Sequence, residues 1–448
     1  MAVTLAPVRW SQRGATLLIM GPLKRSTLLI LNLMAVITYL VVGWTAGSFG
    51  HIDASVFSSQ DSREYREVAD WIFGARPSSV ASNWRPFLYP LLLGVAERVG
   101  GVRGVWLLNV AVWFIALNFC AAATYRFVKS ELAAILVFVV LATNLSLMMI
   151  TYQGLTEPTV IALLAIWVYG LSRLTRRPTP AQVAWVLLPV TLAVVVKPEF
   201  EFLLAVVAVV LVVGIIRSAE RGLAAAVFAA CMIPVGIQLW VMVHFNGYFG
   251  FSNVGTRALR EYFLPRVDVA IGQSSDLQAA QLRMAGISYS DATRYLLNHA
   301  GDAVLVFAST VRENLLAGSN FLTGHPHIEF AILVTQLTFF AVLIAMIPIV
   351  CVALWRARDG RLALTCFAAL NVFLASGVDY NQGDRYAIVA LPLWLPALAL
   401  AIKEVGQLKV LRSSPKALRT ASNPTIRSGT SGPESGAEQS SPPNGQAR

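Results

Sequence analysis

Residues that could carry out chemistry are concentrated just after the first apolar run of this chain. They lie in the segment QDSREY at 60–65, which continues as a short amphipathic stretch, and in RPFLYP at 85–90. A carboxylate such as Asp61 can remove a proton as a general base, and the planar guanidinium of Arg85 suits a phosphate group. We expect partial burial at a lipid–water boundary to raise the pKa of Asp61 toward a useful value. The two residues therefore predict proton removal and phosphate binding at a membrane surface.

Each of these residues also has an ordinary structural interpretation. Asp61 could cap the N-terminus of the amphipathic helix, with Glu64 three residues later completing a capping box. Arg85 could be an interfacial residue whose charged group reaches toward water, and Tyr89 could belong to an aromatic belt. The residues alone leave both interpretations open.

Further acidic and basic residues recur at the ends of later apolar runs. Glu157 opens one run, and Lys197 and Glu199 lie in a tight turn between two others. The last polar loop contains Asp384 and Arg385. The runs themselves carry almost no ionisable residue, whereas an ion pathway through the bundle would need charges inside the membrane. This distribution favours chemistry at one membrane face over transport.

The composition indicates a membrane protein. Of the 448 residues, 56% are hydrophobic and 13% are charged, whereas soluble domains carry about 25% charged residues. The net charge of +11 comes from Lys and Arg at the ends of alternate apolar runs. No basic stripe with interleaved aromatic residues is present, so nucleic acid is not an expected partner. The four cysteines lie in apolar runs without regular spacing, which argues against a disulfide framework or a zinc site.

The alternation of charge predicts ten membrane spans with both termini in the cytoplasm. Lysine and arginine gather in every second connector, and this separation would be lost if one span were miscounted. The ten apolar runs lie near 27–44, 104–125, 131–151, 157–172, 181–197, 200–216, 223–243, 328–354, 362–378 and 386–402. The stretch at 85–99 is too short between its charges to span a membrane, and we expect an interfacial helix there. The predicted fold class is therefore an all-α polytopic transmembrane bundle.

The sequence divides into three regions. We expect a cytoplasmic N-terminal segment at 1–26, a membrane domain at 27–402 and a cytoplasmic tail at 403–448. The tail is rich in Ser, Pro, Gly and Thr, a composition typical of disorder. Two long outer segments interrupt the membrane domain, at 45–103 and 244–327. In the first of them we expect amphipathic helices that lie on the membrane surface.

The order of these elements resembles the GT-C superfamily of integral membrane glycosyltransferases, in particular its bacterial mannosyltransferase-like and aminoarabinose-transferase-like members. The resemblance covers 27–402 and depends on the order of the motifs more than on any one of them. The motifs are DSREY at 61–65, RPFLYP at 85–90, TEP at 156–158, KPEF at 197–200 and DRY at 384–386. Many members have an Asp-Glu pair where this chain has Asp61 and Ser62, which leaves open whether Glu64, Asp53 or a metal supplies the function of a second carboxylate.

The resemblance implies an inverting transfer of a hexose or pentose from a polyprenyl-phosphate-linked donor to a glycan, lipid or protein acceptor at the extracytoplasmic face. Asp61 would be the general base. The negative charge on the departing phosphate would be stabilised by Arg85, Lys197 or Arg385. The residues expected to contact substrate are Glu64, Tyr65, Tyr89, Glu157, Glu199, Asp384 and Tyr386. A divalent cation, Mg²⁺ or Mn²⁺, is left open as a cofactor.

The sequence also bears on location and on alternative functions. Its Ala-, Val- and Arg-rich usage suggests a bacterium, and hence the plasma membrane, whose lipids would be partners. Two alternatives to the enzyme are a transporter or flippase of lipid-linked glycans, and a polymerase or ligase of such glycans. Either alternative could use the outer basic groups. In the enzyme, the segment 244–327, which contains aromatic residues and arginines, could cover the acceptor.

Overall fold

The computed structural model describes residues 24–77, 85–247, 249–316, 326–379 and 385–413. Every regular element within these ranges is helical, which confirms the all-α prediction. The α-helices are α1 (Arg25–Thr45), α2 (Gln60–Ile72), α3 (Leu88–Val128), α4 (Glu131–Ala142), α5 (Leu145–Met149), α6 (Glu157–Arg173), α7 (Pro180–Val196), α8 (Glu201–Ile216), α9 (Arg221–Asn246), α10 (Val254–Arg257), α11 (Leu264–Ala270), α12 (Leu277–Met284), α13 (Tyr289–Asn298), α14 (Ala300–Leu316), α15 (Pro326–Ala357), α16 (Gly360–Ala375) and α17 (Arg385–Ser413).

Each of the ten predicted apolar runs forms a helix or a helix pair, and the polytopic architecture is confirmed. Within the described ranges, six helices are long and apolar enough to cross a membrane, or seven if the α4–α5 pair, bent by 56°, is one span. Three further runs form the shorter helices α6, α7 and α16, of 17, 17 and 16 residues. At 1.5 Å per residue these reach about 25 Å, slightly less than the hydrocarbon thickness of a bilayer. The total of ten spans therefore stays a prediction.

The core is built around α6, which is buried along nearly its whole length. It packs closely against α3 on one side and α7 on another, and α7 in turn packs against α9. Trp113, Trp167 and Leu117 are fully buried in this core. Side chains on the outward faces of α1 and α8 are apolar and exposed, as expected for helices that face lipid.

The first polar segment folds into the amphipathic helix α2. Its N-cap is Ser59, whose hydroxyl accepts a hydrogen bond from the amide of Ser62. The interpretation of Asp61 as the N-cap is therefore wrong, because Asp61 lies inside the first turn. Glu64 forms no capping box, since its carboxylate pairs with Arg85 instead.

The stretch after Arg85 enters a long helix that is broken near its middle. Helix α3 begins at Leu88, so Pro86 precedes the helix. Gly101 adopts a left-handed φ of 60°, a conformation that glycine reaches without steric cost, and it interrupts the helical geometry of α3. The break separates the segment expected to be interfacial from the run near 104–125 that is expected to span.

The long segment after α9 is helical in the part that the structure describes. Helices α10 to α14, with a π-helical turn at Ala258–Phe263, form two small apolar clusters of their own, around Val267 and around Met284. The chain groups into two compact units, residues 1–403 and residues 404–448. The described part of the second unit consists of the last turns of α17, and the tail beyond Ser413 lies outside the described residues.

Candidate active site

Five chain segments that are far apart in the sequence meet at one end of the helices. They are α2, the residues just before α3, the start of α6, the 3₁₀ turn Pro198–Phe200 with the preceding Lys197, and the start of α17. Each contributes an ionisable side chain to one ion-pair cluster. Its acids are Asp61, Glu64, Glu157 and Glu199, and its cations are Arg85, Lys197 and Arg385. We call this set the acid–base cluster.

Asp61 lies between two arginines. Its Oδ1 accepts a short hydrogen bond from Nη2 of Arg85, and its Oδ2 accepts one from Nη1 of Arg385 at 2.9 Å. A quarter of the Asp61 side chain is exposed, while the two arginines are only 12% and 16% exposed. Asp61 is thus reachable from solvent, whereas the guanidinium groups on either side are largely enclosed.

Arg85 is fixed by further contacts with α2 and α3. Its Nε donates to Oε2 of Glu64 at 2.8 Å, and its Nη1 donates to the hydroxyl of Tyr65 at 3.2 Å. The guanidinium also lies over the Tyr65 ring, 4.7 Å from the centroid, and that ring meets Tyr89 edge to face. Tyr89 is fully buried, and its hydroxyl has no hydrogen-bond partner among the described residues.

The other half of the cluster surrounds Glu157. Its side chain is fully buried and accepts from Arg385, through Nη2 at 2.7 Å and Nε at 3.0 Å. The ammonium of Lys197 lies 3.4 Å from both Glu157 and Glu199, and 4.6 Å from the centre of the Tyr386 ring. Because Glu157 is fully buried, removing its charge would leave Arg385 and Lys197 incompletely compensated, at a cost of about 3–5 kcal/mol.

The electrostatics of Asp61 differ from the sequence-based expectation. Burial on its own raises the pKa of Asp61, but the charges and hydrogen bonds of Arg385 and Arg85 outweigh it and hold the pKa well below the usual range. The expectation of a raised pKa is therefore wrong for this arrangement. Burial acts against the charged form of Lys197, yet the carboxylates of Glu199 and Glu157 raise its pKa. Both groups are charged at neutral pH.

Asp379 is a further, partly buried acid beside the cluster. Burial raises its pKa, and the charge of Asp61 acts in the same direction. The hydroxyl of Tyr386 donates to its Oδ2 at 3.2 Å. Its backbone carbonyl accepts a hydrogen bond of 2.7 Å from the side chain of Asn314 in α14. The sequence contained Asp379 in a polar loop, but the hydrogen bond that its backbone receives comes from α14, which is distant in the sequence.

Gln238 is a positioning residue that the motifs did not indicate. It is fully buried in α9, accepts from the amide of Phe87 at 3.1 Å, and donates to the carbonyl of Phe251 at 2.7 Å. It thereby joins the segment that follows Arg85 to the segment that leads into α10. A polar amide inside an apolar run was the signal that could have identified it.

The structure brings together ten of the eleven predicted site residues. They are Asp61, Glu64, Tyr65, Arg85, Tyr89, Glu157, Lys197, Glu199, Arg385 and Tyr386. The eleventh, Asp384, lies outside the described residues, as does Tyr248, one of the aromatic residues of the segment 244–327. In the same segment Phe249 is exposed. Burial raises the pKa of Tyr262, and the charges of Asp379 and Asp61 act in the same direction. Helix α10 packs against the Pro198–Phe200 turn, so the segment 249–316 reaches the cluster.

The carboxylates of the cluster are arranged for cationic side chains. In the part of the chain that the structure describes, no group of three or more His, Cys, Asp or Glu side chains could hold a metal ion. The acids instead alternate with guanidinium and ammonium groups. Whether Mg²⁺ or Mn²⁺ takes part in the activity stays an open point of the sequence interpretation.

Comparisons with known proteins gave one similar structure. No family model matches the chain, and no curated protein matches it. The chain is similar to the crystal structure of ArnT from Cupriavidus metallidurans bound to undecaprenyl phosphate, with 14% sequence identity and a TM-score of 0.38. The similarity covers 84% of this chain and 78% of that one.

Proposed function

We propose that this protein is a membrane glycosyltransferase that moves a sugar from a polyprenyl-phosphate donor to an acceptor hydroxyl at the extracytoplasmic face. The observation that carries the proposal is the position of Asp61 between Arg85 and Arg385. A proton acceptor and two phosphate-binding groups are thereby in direct contact at one end of the helices. The order of motifs that resembles the GT-C superfamily supports the same function.

The proposed reaction is a single displacement. The acceptor oxygen attacks the anomeric carbon, and its proton passes to the carboxylate of Asp61. The bond between the anomeric carbon and the phosphate oxygen breaks, and the electron pair leaves with the polyprenyl phosphate. Because attack and departure are on opposite faces of the sugar, the configuration inverts. Arg85, Arg385 and Lys197 stabilise the charge that develops on the phosphate.

The donor itself would prepare Asp61 for its role. In the resting cluster each cation already contacts carboxylates, and the pKa of Asp61 is low, which makes it a weak base. A phosphate that binds Arg85 and Arg385 competes with Asp61 for the same guanidinium groups. As those contacts weaken, the pKa of Asp61 rises and proton removal becomes easier. Donor binding would therefore couple phosphate recognition to activation of the base.

The test compares lipid-linked sugars and surface glycans in a deletion strain rescued with different forms of the gene. Deletion is expected to accumulate the lipid-linked donor and to remove one sugar from the product, and the unmodified gene should reverse both changes. Asp61→Asn should reach normal membrane abundance but fail to restore transfer. Asp53→Asn is the matched control, because in the described part of the chain the Asp53 carboxylate caps the short helix Ala54–Phe57 and forms no ion pair with a cation of the cluster, and asparagine caps equally well.

A second arm examines the phosphate-binding role. Arg85→Lys keeps the positive charge but loses the fork that reaches Asp61, Glu64 and Tyr65. We expect transfer by purified protein to fall about 10²-fold, the scale of losing one transition-state donor. Arg63→Lys, at an exposed position of α2, should have no effect. Full transfer by Asp61→Asn would remove Asp61 from the mechanism, and full transfer by Arg85→Lys would remove the fork.

The same assays separate the enzyme from the transport alternative. A transporter or flippase would move labelled lipid-linked glycan across a proteoliposome membrane without forming a new glycosidic bond. If the purified protein translocates donor and no glycosylated product appears with any acceptor from the deletion strain, the enzyme proposal is wrong.

A further inference from the structure

A group of basic residues lies at the opposite end of the helices that carry the acid–base cluster. Helix α6 runs from Glu157 in that cluster to Arg173, a span of 17 residues. At 1.5 Å per residue the two ends are about 25 Å apart, close to the hydrocarbon thickness of a bilayer. Helix α3, which follows Arg85, has Arg126 in its last turn. Two helices therefore connect the two charged ends.

Arg126 and Arg173 lie beside the same aromatic ring. Both guanidinium groups lie 5.7 Å from the centroid of the Tyr169 ring. Nε of Arg126 and Nη1 of Arg173 are enclosed by protein and have no hydrogen-bond partner among the residues that the structure describes, although both side chains remain partly accessible. A charged donor enclosed without a partner is unfavourable, and an anion that reaches both arginines would supply acceptors for them.

Further cations lie next to this pair. Arg361 donates to the carbonyls of Ser172 and Leu174 at 3.3 and 3.2 Å, beside Arg173. Lys403 donates to the carbonyl of Val128 at 2.7 Å, beside Arg126. These two residues have partners at helix ends, where cations are favourable. They add positive potential around the pair without supplying an acceptor for it.

The enclosed donors of Arg126 and Arg173 need an explanation of their own. The general excess of positive charge at this end does not explain them, and neither does the stabilisation of helix ends. The positive-inside pattern requires only that lysine and arginine be present in this connector. Arg176 and Arg177, which are exposed to solvent on the same connector, meet that requirement without being enclosed. Among the described residues, Asp359 is the carboxylate that forms an ion pair with a cation of this basic group. Its partner is Arg361, so it does not account for Arg126 and Arg173. The enclosed positions of Arg126 and Arg173 therefore call for a different account.

We propose that Arg126 and Arg173 form a binding site for the phosphate of an anionic membrane phospholipid. The distance of about one hydrocarbon thickness from the acid–base cluster places the pair at the level of lipid headgroups in the opposite leaflet. Basic pockets between membrane helices bind such headgroups, and both guanidinium groups lie beside the same Tyr169 ring, which brings the two cations to one place. This site is independent of the glycosyltransferase proposal.

The test measures lipid retention by native mass spectrometry of the full-length protein purified in detergent. Phosphatidylglycerol is titrated against phosphatidylcholine, and Arg126→Gln/Arg173→Gln is compared with Arg176→Gln/Arg177→Gln, which removes the same charge at exposed positions. The first double variant should lose retention of phosphatidylglycerol about tenfold or more, corresponding to about 1.4 kcal/mol. The control should stay within about twofold, as expected for exposed charges. Equal losses in the two variants would overturn the proposal, as would wild-type protein that does not prefer phosphatidylglycerol.

Two additional arms keep the result unambiguous. Inorganic phosphate at millimolar concentration should not displace the lipid, and displacement would show a site for free anions instead. If the glutamine variant does not fold, Arg126→Lys/Arg173→Lys decides, because lysine keeps the charge but not the two-pronged geometry. Retention should then fall several-fold, and unchanged retention would contradict a specific phosphate site.

Discussion

At the scale of single residues, the sequence predicted which side chains matter better than how they behave. Asp61 and Arg85 were identified from local motifs, and they are in direct contact. The low pKa of Asp61, however, depends first among its charged neighbours on Arg385, which lies 324 positions away. A local sequence pattern cannot show a partner that lies so far along the chain. Burial was therefore expected to set the pKa of Asp61, whereas the opposite charges of its neighbours set it. Asp61 is therefore a carboxylate kept ionised until another anion competes for its partners.

Asp379 provides a test of these residue-scale electrostatics through stability. Burial raises its pKa above the value of about 3.9 in an unfolded chain. Keeping the carboxyl charged then costs stability increasingly as pH rises through the folded pKa. Asp379→Asn imitates the protonated acid and still accepts from Tyr386. We expect the melting temperature of the variant, relative to wild type, to increase between pH 5 and pH 8.

The control for this measurement is Asp53→Asn. Hydrogen bonds from Ser55 lower the pKa of Asp53, so its stabilising effect is lost only as pH falls below the range measured. The difference in melting temperature between Asp53→Asn and wild type should therefore stay constant between pH 5 and pH 8. A relative melting temperature of Asp379→Asn that is flat or decreases with pH would show that Asp379 is charged without penalty.

At the scale of elements, apolar length was enough to locate the helices but not their breaks. All ten apolar runs form helices, because a long apolar segment in lipid has few other ways to satisfy the hydrogen bonds of its backbone N–H and C=O groups. The break at Gly101 and the 56° bend between α4 and α5 were not predicted. Both interrupt a helix at a point that apolar length alone does not specify. The cap of α2 was also misassigned, since Ser59 and Asp61 are both good cap residues and local sequence does not rank them reliably.

The contact between α6 and α7 gives a prediction at the same scale. A Cβ atom on Gly170 would lie 2.3 Å from the carbonyl oxygen of Trp185, which is backbone and cannot rotate away. Gly170→Ala should therefore push the two helices apart and cost about 1–3 kcal/mol, seen as a lower melting temperature of the purified protein. Gly236→Ala is the control, because its Cβ meets nothing within 4 Å in α9 and alanine favours a helix. Equal melting temperatures for the two variants would mean that α6 and α7 are not closely packed.

At the scale of the whole molecule, the sequence could predict that charged residues gather at the ends of the helices, but not which of them meet. The alternation of lysine and arginine predicted on which side of the membrane each connector lies. It did not indicate that α2, α6 and α17 converge, which places Arg385 between Asp61 and Glu157. It also did not distinguish the exposed Arg176 and Arg177 from the partly enclosed Arg126 and Arg173. Convergence and enclosure follow from packing in three dimensions.

The predicted topology can be tested with single cysteines on either side of three helices. Arg177 follows α6 and Ser290 lies in α13, and both are exposed. Because α7, α8 and α9 lie between them, three spans would place them on opposite sides of the membrane. In a background with Cys120, Cys231, Cys351 and Cys366 replaced by alanine, a membrane-impermeant maleimide should label Ser290→Cys in intact cells. Arg177→Cys should react only after the membrane is permeabilised. Labelling of both in intact cells would mean that α7 to α9 do not all span, and the reverse pattern would place Asp61 in the cytoplasm and rule out transfer at the outer face.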